Sequence, residues 1–382
     1  MSKVKEGLGS LNCSKCDWEI EIPPEISEQL LRNDCPTCGS DAIFNSQSSK
    51  SSPIGFDFLP SNFNLMQINS LEFEDSPNVS NLDKKTISGF VNRWSPMVLG
   101  AQVRGEMMRE NIALDGEEVL KKFNETSIIY RKALRQIEDK NEILRGSRLS
   151  DGFPDDDVKS IKRFSRTYMG ADPSKGIFSE GAGLGQEMGL ITLHYDNNDG
   201  DESVKLKLTE VGKELLKIKL YREPLELETE VHHAAGAGEI KLPRWLKKDD
   251  VERIIHVIND RSNAEYLWIR FLLQQIDASV RGLTISDLVG REIERELTND
   301  QTNRWFERGS NIDIVTQMNN ENLSTDKIEE QLEKKILSTI PGTLSRMKEL
   351  SLIFQFKRAR QTFYKASKSG KEWVTKWDRD NI

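Results

Sequence analysis

The sequence predicts a mainly α-helical chain with small β-hairpins, headed by a cysteine-bearing module and carrying two later modules of like order. Three observations predict it. All four cysteines of the 382-residue chain fall within its first 38 residues, as Cys13-Ser14-Lys15-Cys16 and Cys35-Pro36-Thr37-Cys38. Apolar residues recur at helical spacing from about 86 to 144 and again from 250 onward. Twice, after Met188 and after Leu350, an apolar strand, a polar turn and a return strand lead into a helix.

Residues 1–45 form the first module. A C-x-x-C pair brings two thiolates to one side of a tight turn, and two such turns close a tetrahedron around Zn²⁺. The 18 residues between the pairs fit two knuckles joined by a β-hairpin, the spacing of a zinc ribbon. Trp18, Ile20 and Ile22 alternate with acids, as a strand does. Pro36 stiffens the second turn, and Gly39 follows it where positive φ is often needed. Cys13, Cys16, Cys35 and Cys38 are therefore expected to hold one structural Zn²⁺, whose binding supplies much of the folding free energy of so small a module. Four thiolates leave no open position for catalysis. Disulfides and a redox pair are the competing readings. The first ten residues are polar and lack the apolar core of a secretory leader, so a reducing, cytoplasmic setting is expected.

The remaining elements follow in order. Residues 46–85 read as a Ser-rich linker and an irregular arm with scattered aromatics. Residues 86–150 read as a helical region. Residues 151–222 show a helix at Val158–Tyr168, a second over 174–188 weakened by three glycines, a strand from Gly189, a turn at Asn197–Gly200, a return strand at Val204–Leu208, and a helix capped by Thr209. Residues 223–249 read as a connector. Residues 250–382 resume the helical pattern, with a helix over 329–337, a separate helix opened by Pro341 and ending at Leu350, a strand at Ser351–Phe356, a turn, a return strand and a last helix. The two hairpins and the Thr/Ser-x-x-Gly that follows each suggest a degenerate repeat.

The stretches E-M-G-L-I-T-L…L-K-L-T-E-V-G-K-E-L-L and T-L-S-R-M-K-E-L-S-L-I resemble the recognition helix and wing of winged helix-turn-helix proteins. With the ribbon, the chain resembles zinc-ribbon, winged-helix DNA-binding proteins as a class. The resemblance covers about 63 residues in the first copy and about 45 in the second. It implies that Thr343, Ser345, Arg346 and Lys348 lie on a recognition helix, and that Lys357, Arg358 and Arg360 form a wing tip beside the phosphates.

Charge agrees with that placement. The chain carries −8 overall, which excludes a protein that coats nucleic acid by bulk charge. Residues 334–382, however, hold twelve Lys or Arg against four acids. The first wing carries Asp196, Asp199, Asp201 and Glu202 and would repel phosphate. Acids also surround the ribbon, so the ribbon or the first module suits a protein partner better. No run approaches the roughly 18 apolar residues of a membrane span.

Candidate catalytic chemistry is sparse. His232-His233 with Glu228 and Glu230 is a loose metal pair. Gly181-x-Gly183-x-Gly185 lacks the preceding strand of a dinucleotide fingerprint. Pro154-Asp155-Asp156-Asp157 with Lys159 lacks the strand-borne acid-x-Lys of a metal nuclease. The expectation is a non-catalytic DNA-binding protein, a transcriptional regulator or the recognition component of a larger machine. Two alternatives stand beside it. One is a recognition subunit resembling those of type IIS restriction endonucleases, with a partner supplying cleavage. The other is a winged-helix protein adaptor, as in condensin-type complexes. Oligomeric state is left open.

Overall fold

The structure, a computed structural model, describes residues 9–13, 19–22, 42–45, 58–60, 62–77, 86–110, 115–140, 148–173, 177–179, 182–198, 201–221, 229–234, 238–301, 304–306 and 312–379. It forms two compact units, Met1–Phe56 and Asp57–Ile382. Both the helical majority and the small antiparallel hairpins expected from the sequence are present. Among the described residues no helix is long and apolar enough to cross a membrane.

In the first unit, β1 (Gly9–Cys13), β2 (Glu19–Ile22) and β3 (Ala42–Asn45) form an antiparallel sheet in the order β2-β1-β3. Cys13 ends β1 and pairs with Ala42, four residues after Cys38 in the chain. Cys16, Cys35 and Cys38 lie outside the described residues.

The second unit is built around α2 (Ser95–Arg109), in which every residue from Ser95 to Gly105 is buried. A helix covered on all sides belongs in an interior. Two of its buried polar side chains are anchored on neighbouring backbone, Gln102 Nε2 donating to the Ile218 carbonyl at 2.7 Å and Arg104 Nε to that of Leu206. Helix α3 (Gly116–Lys140) and α4 (Val158–Met169, capped by Asp157) pack beside it. Between them Phe123, Phe153, Phe164, Tyr130 and Tyr168 form an aromatic cluster with centroids 4.9–6.5 Å apart. After a short α1 (Leu65–Asn69), the Glu74 backbone accepts from Glu210 N at 2.9 Å and donates to the Leu208 carbonyl at 3.0 Å.

The helix expected over 174–188 is not continuous. Two short strands, β4 (Ala171–Asp172) and β5 (Ile177–Phe178), pair first, and only Leu184–Glu187 is helical, as α5. The glycines shorten it: positive φ at Gly183 opens the turn and at Gly189 closes it. The hairpin β6 (Ile191–Asn198)–β7 (Asp201–Leu208) and α6 (Glu210–Leu216), capped by the Thr209 hydroxyl, follow as expected.

Residues 223–249, expected as a connector, contain a hairpin, β8 (Thr229–Ala234) with β9 (Gly238–Pro243). Then come α7 (Lys248–Arg261), α8 (Asn263–Ala278), α9 (Ile285–Thr298), α10 (Ile314–Asn320) and α11 (Thr325–Glu349). The hairpin β10 (Ile353–Arg358)–β11 (Gln361–Ala366) and α12 (Lys368–Arg379) complete the chain. The two helices expected over 329–350 are one. Pro341 lies inside α11 without ending it. Next to it, Gly342 crosses Gly89 so closely that a Cβ on either would strike the other segment's backbone.

The segments around Thr209 and Ser367 share a hydrogen-bond pattern. At the close of α5, Leu190 N bonds to Gly185 O at 2.8 Å, and at the close of α11, Leu352 N bonds to Met347 O at 2.9 Å. Thr209 N then returns to Leu190 O at 3.1 Å, and Ser367 N to Leu352 O at 3.0 Å. The Thr209 hydroxyl accepts from Gly212 N and donates to Gly189 O; the Ser367 hydroxyl accepts from Gly370 N and donates to Ser351 O. Gly212 and Gly370 each press on the carbonyl of the matching leucine, where a Cβ has no room. Each hairpin also gains a one-residue third strand just before a helix, Asp115 against Lys205 and Leu283 against Tyr364.

Candidate nucleic-acid interface

The structure divides the predicted recognition residues into two groups. Thr343 and Arg346 are fully buried. Arg346 donates to Glu265 Oε1 at 2.6 Å, to the Thr343 hydroxyl at 2.9 Å, and to the carbonyls of Ser88 and Val91. Glu265 accepts from Ile87 N at 2.9 Å, and Glu349 accepts from Trp94 N at 2.5 Å and Ser95 N at 3.1 Å. The helix face read as DNA-facing is thus spent on docking residues 87–95. Placing Thr343 and Arg346 at a DNA groove is corrected on this point. Their helical spacing is compatible with either role; the Glu265, Ser88 and Val91 partners of Arg346 lie more than 80 residues away in sequence, beyond any local pattern.

The second group is accessible. Ser345 and Lys348 are half-buried on the opposite side of α11, and Lys357, Arg358 and Arg360 are exposed. Among the described residues none of the three wing cations has an ion-pair partner. The wing turn is built for display. Ala359 and Arg360 both have positive φ, 47° and 67°, as a two-residue type I′ turn requires. That turn normally uses Asn-Gly, and non-glycine residues there cost on the order of 1 kcal/mol each.

Strand alternation fixes which side of the wing is open. Phe354 and Phe356 face inward and pack with Ile240, Leu242 and Phe363. His232 stacks on Phe354 at 4.5 Å and lies 3.1 Å from Glu230, and burial holds its pKa below the usual imidazole value. His233, the next residue on the strand, is exposed on the other face, so the two histidines do not converge on a metal. The β8–β9 hairpin therefore backs one face of the wing. Gln355 and Lys357 line the other.

That open face continues onto α11. Lys348 Nζ donates to Gln355 Oε1 at 3.0 Å. Arg93 donates to the Ser345 carbonyl at 2.6 Å, to its hydroxyl at 2.9 Å, and to the Arg148 carbonyl at 3.0 Å. Burial, then the neighbouring charges of Arg93 and Arg148, push the Lys348 ammonium down to about 8. Arg148, Lys348 and Lys357 thus form a basic stripe ending at Arg358 and Arg360. Sequence reading missed Arg93 and Arg148 because only the crossing of residues 87–95 over α11 brings them there. A cationic stripe with hydroxyl and amide donors can bind successive phosphates.

Other candidate chemistry is used locally. Asp155 pairs with Arg131 at 2.9 Å and Arg135 at 3.1 Å, Asp156 pairs with Lys132 at 2.8 Å, and Asp157 caps α4. Among the described residues no His, Cys, Asp or Glu cluster could hold a metal ion. The acidic side chains of the first wing lie outside what is described.

Comparison with family models, with curated proteins and with solved structures finds no match to this chain.

Proposed function

We propose that the chain is a non-catalytic DNA-binding protein whose contact surface is the C-terminal wing and the adjoining end of α11. One observation carries this reading: Lys357, Arg358 and Arg360 are exposed, without ion-pair partners among the described residues, on a hairpin tip held in a strained turn. The order α8, bridge, α9, α11, β10, β11, with α10 inserted between α9 and α11, supports reading this region as a winged helix-turn-helix. The repeated turn geometry supports the same reading for residues 151–222. It docks differently from a module that buries its recognition helix in the major groove. Here α11 is anchored inside the protein, and the wing and basic stripe meet the phosphates, which gives affinity and position ahead of base readout.

The ribbon reading rests on four thiolate donors at knuckle spacing and on the register that sets Cys13 beside Ala42. Cys13, Cys16, Cys35 and Cys38 would hold one Zn²⁺ structurally, as tetrathiolate sites do. Metal analysis of the full chain should return one zinc per chain, lost on Cys13→Ser; a zinc-free folded protein contradicts it. The process served is transcriptional control or target recognition within a larger assembly.

Lysine acetylation footprinting of the full chain with duplex DNA tests the interface. Lys348 and Lys357 are protected and Lys327, on the far end of α11, is not. Equal reactivity of Lys357 with and without DNA removes the proposal.

A further inference from the structure

A cavity of about 320 Å³ opens between α7 and α12. Its apolar floor is Leu246, Val251 and Leu350, and Trp373 lines it. Four cations reach it, Arg244, Lys248, Lys376 and Arg379, against two carboxylates, Glu252 and Glu372. Two of the four are engaged: Arg244 bonds to Glu230 and Ser369, and Lys248 lies 3.4 Å from Glu372. Lys376 and Arg379 have no carboxylate partner among the described residues. Lys376 Nζ instead rests 4.6 Å over the Trp373 ring, and Arg379 Nε reaches the Thr375 carbonyl at 3.3 Å. The Ser351 hydroxyl, on a residue held at φ 55° and lining the same cavity, is buried without a hydrogen-bond partner.

These features select a ligand class. The volume is at the small end of ligand pockets, too small for a folded partner or a duplex. An apolar floor with a half-buried indole suits a flat aromatic group. Unneutralised Lys and Arg one turn apart suit a phosphate. An unsatisfied hydroxyl suits a sugar or base edge. We propose that this cavity binds a single nucleotide unit, with its base against Trp373 and its phosphate between Lys376 and Arg379. On binding, the phosphate draws the Lys376 ammonium off the indole and frees that ring face for the base. No bond is made or broken. The same chemistry is offered by a free mononucleotide and by one nucleotide of a single strand. The proposal does not rest on the wing: the cavity borders the start of β10, whereas the wing tip lies about 20 Å further along the strand.

Calorimetric titration of the full chain with AMP, ribose 5-phosphate and a tetra-thymidylate tests it. AMP binding identifies a free nucleotide as the ligand; binding of the tetranucleotide alone identifies a strand nucleotide. In either case the Lys376→Ala, Arg379→Ala double variant weakens binding at least tenfold. Both side chains are exposed, so unfolding temperature should stay within a few degrees of the parent. Trp373→Leu abolishes the preference for AMP over ribose 5-phosphate. Substituting Lys357, Arg358 and Arg360 leaves this binding unchanged, which separates it from the DNA surface. Absence of binding by both nucleotide probes at ~1 mM, or binding that survives the double substitution, overturns it.

Discussion

Arg346 and Glu265 form an ion pair at 2.6 Å with neither side chain exposed. The pair joins α11 to α8, and its remaining hydrogen bonds fasten residues 87–91 between them. Arg346→Ala would leave a buried carboxylate without its cation, at a cost of about 3–5 kcal/mol. Urea unfolding should show a loss of that size, against less than about 0.5 kcal/mol for Arg358→Ala at the exposed wing. Equal stability of the two variants would contradict the division of the recognition residues into structural and accessible groups.

Gly342 and Gly89 make the second join between the same segments. Alanine is the better helix former by about 1 kcal/mol, so propensity alone predicts that Gly342→Ala stabilises. The backbone of Gly89 occupies the space a Cβ needs, and destabilisation by about 1–3 kcal/mol is expected instead. Gly290, exposed on α9 with nothing within 4 Å of its Cβ position, is the control. There alanine should stabilise by about 0.5–1 kcal/mol. Parallel thermal melts decide between packing and propensity by the sign of the two effects.

Acid chemistry concentrates beneath α9. Burial pushes the Glu292 carboxyl up to about 8 and that of Glu296 up to about 7. Two guanidiniums, Arg295 and Arg304, face three acids, Glu292, Glu296 and Asp313. A carboxyl whose folded pKa is raised stabilises most below the unfolded value near 4.5 and loses that contribution as pH rises through the folded value. Folding stability should therefore fall from about pH 5 to pH 8. Glu292→Gln, which keeps a neutral acceptor, should flatten the slope; an unchanged pH profile would refute the assignment.

Much of this architecture was legible in the sequence, and what escaped has a common cause. Thr209 as a cap, the pairing of Asn198 with Asp201, the last hairpin and the Thr/Ser-x-x-Gly repeat are local signals written within a few residues. The continuity of α11 through Pro341 was not legible, because the helix is held across that residue by packing on Gly89 rather than by its own propensity. The burial of Arg346 escaped for the same reason: its partner is on α8 and nothing near it in sequence marks the pairing. The β8–β9 hairpin was hidden by a histidine pair and flanking glycines that resembled a connector. For the interface, composition located the basic end and the wing tip, whereas Arg93 and Arg148 reach Lys348 only through the tertiary crossing.

Lys348 gives the interface a pH signature. Its ammonium, pushed down to about 8, is charged below that pH and neutral above it. A phosphate favours the charged form, so DNA affinity should weaken as pH rises from 7 to 9, on the order of several-fold. Lys348→Arg, always charged, should remove the dependence while keeping the affinity. Fluorescence anisotropy across that range checks it, and an identical slope in the variant would place Lys348 outside the contact.

The salt dependence of duplex binding tests the central claim most directly. Each phosphate neutralised contributes about −0.9 to the slope of log K against log salt. Replacing Lys357, Arg358 and Arg360 with alanine should reduce the magnitude of that slope by about 2–3 and lower affinity at every duplex sequence alike. A full chain that binds duplex DNA with the same slope and affinity after all three substitutions would contradict the wing as its contact surface.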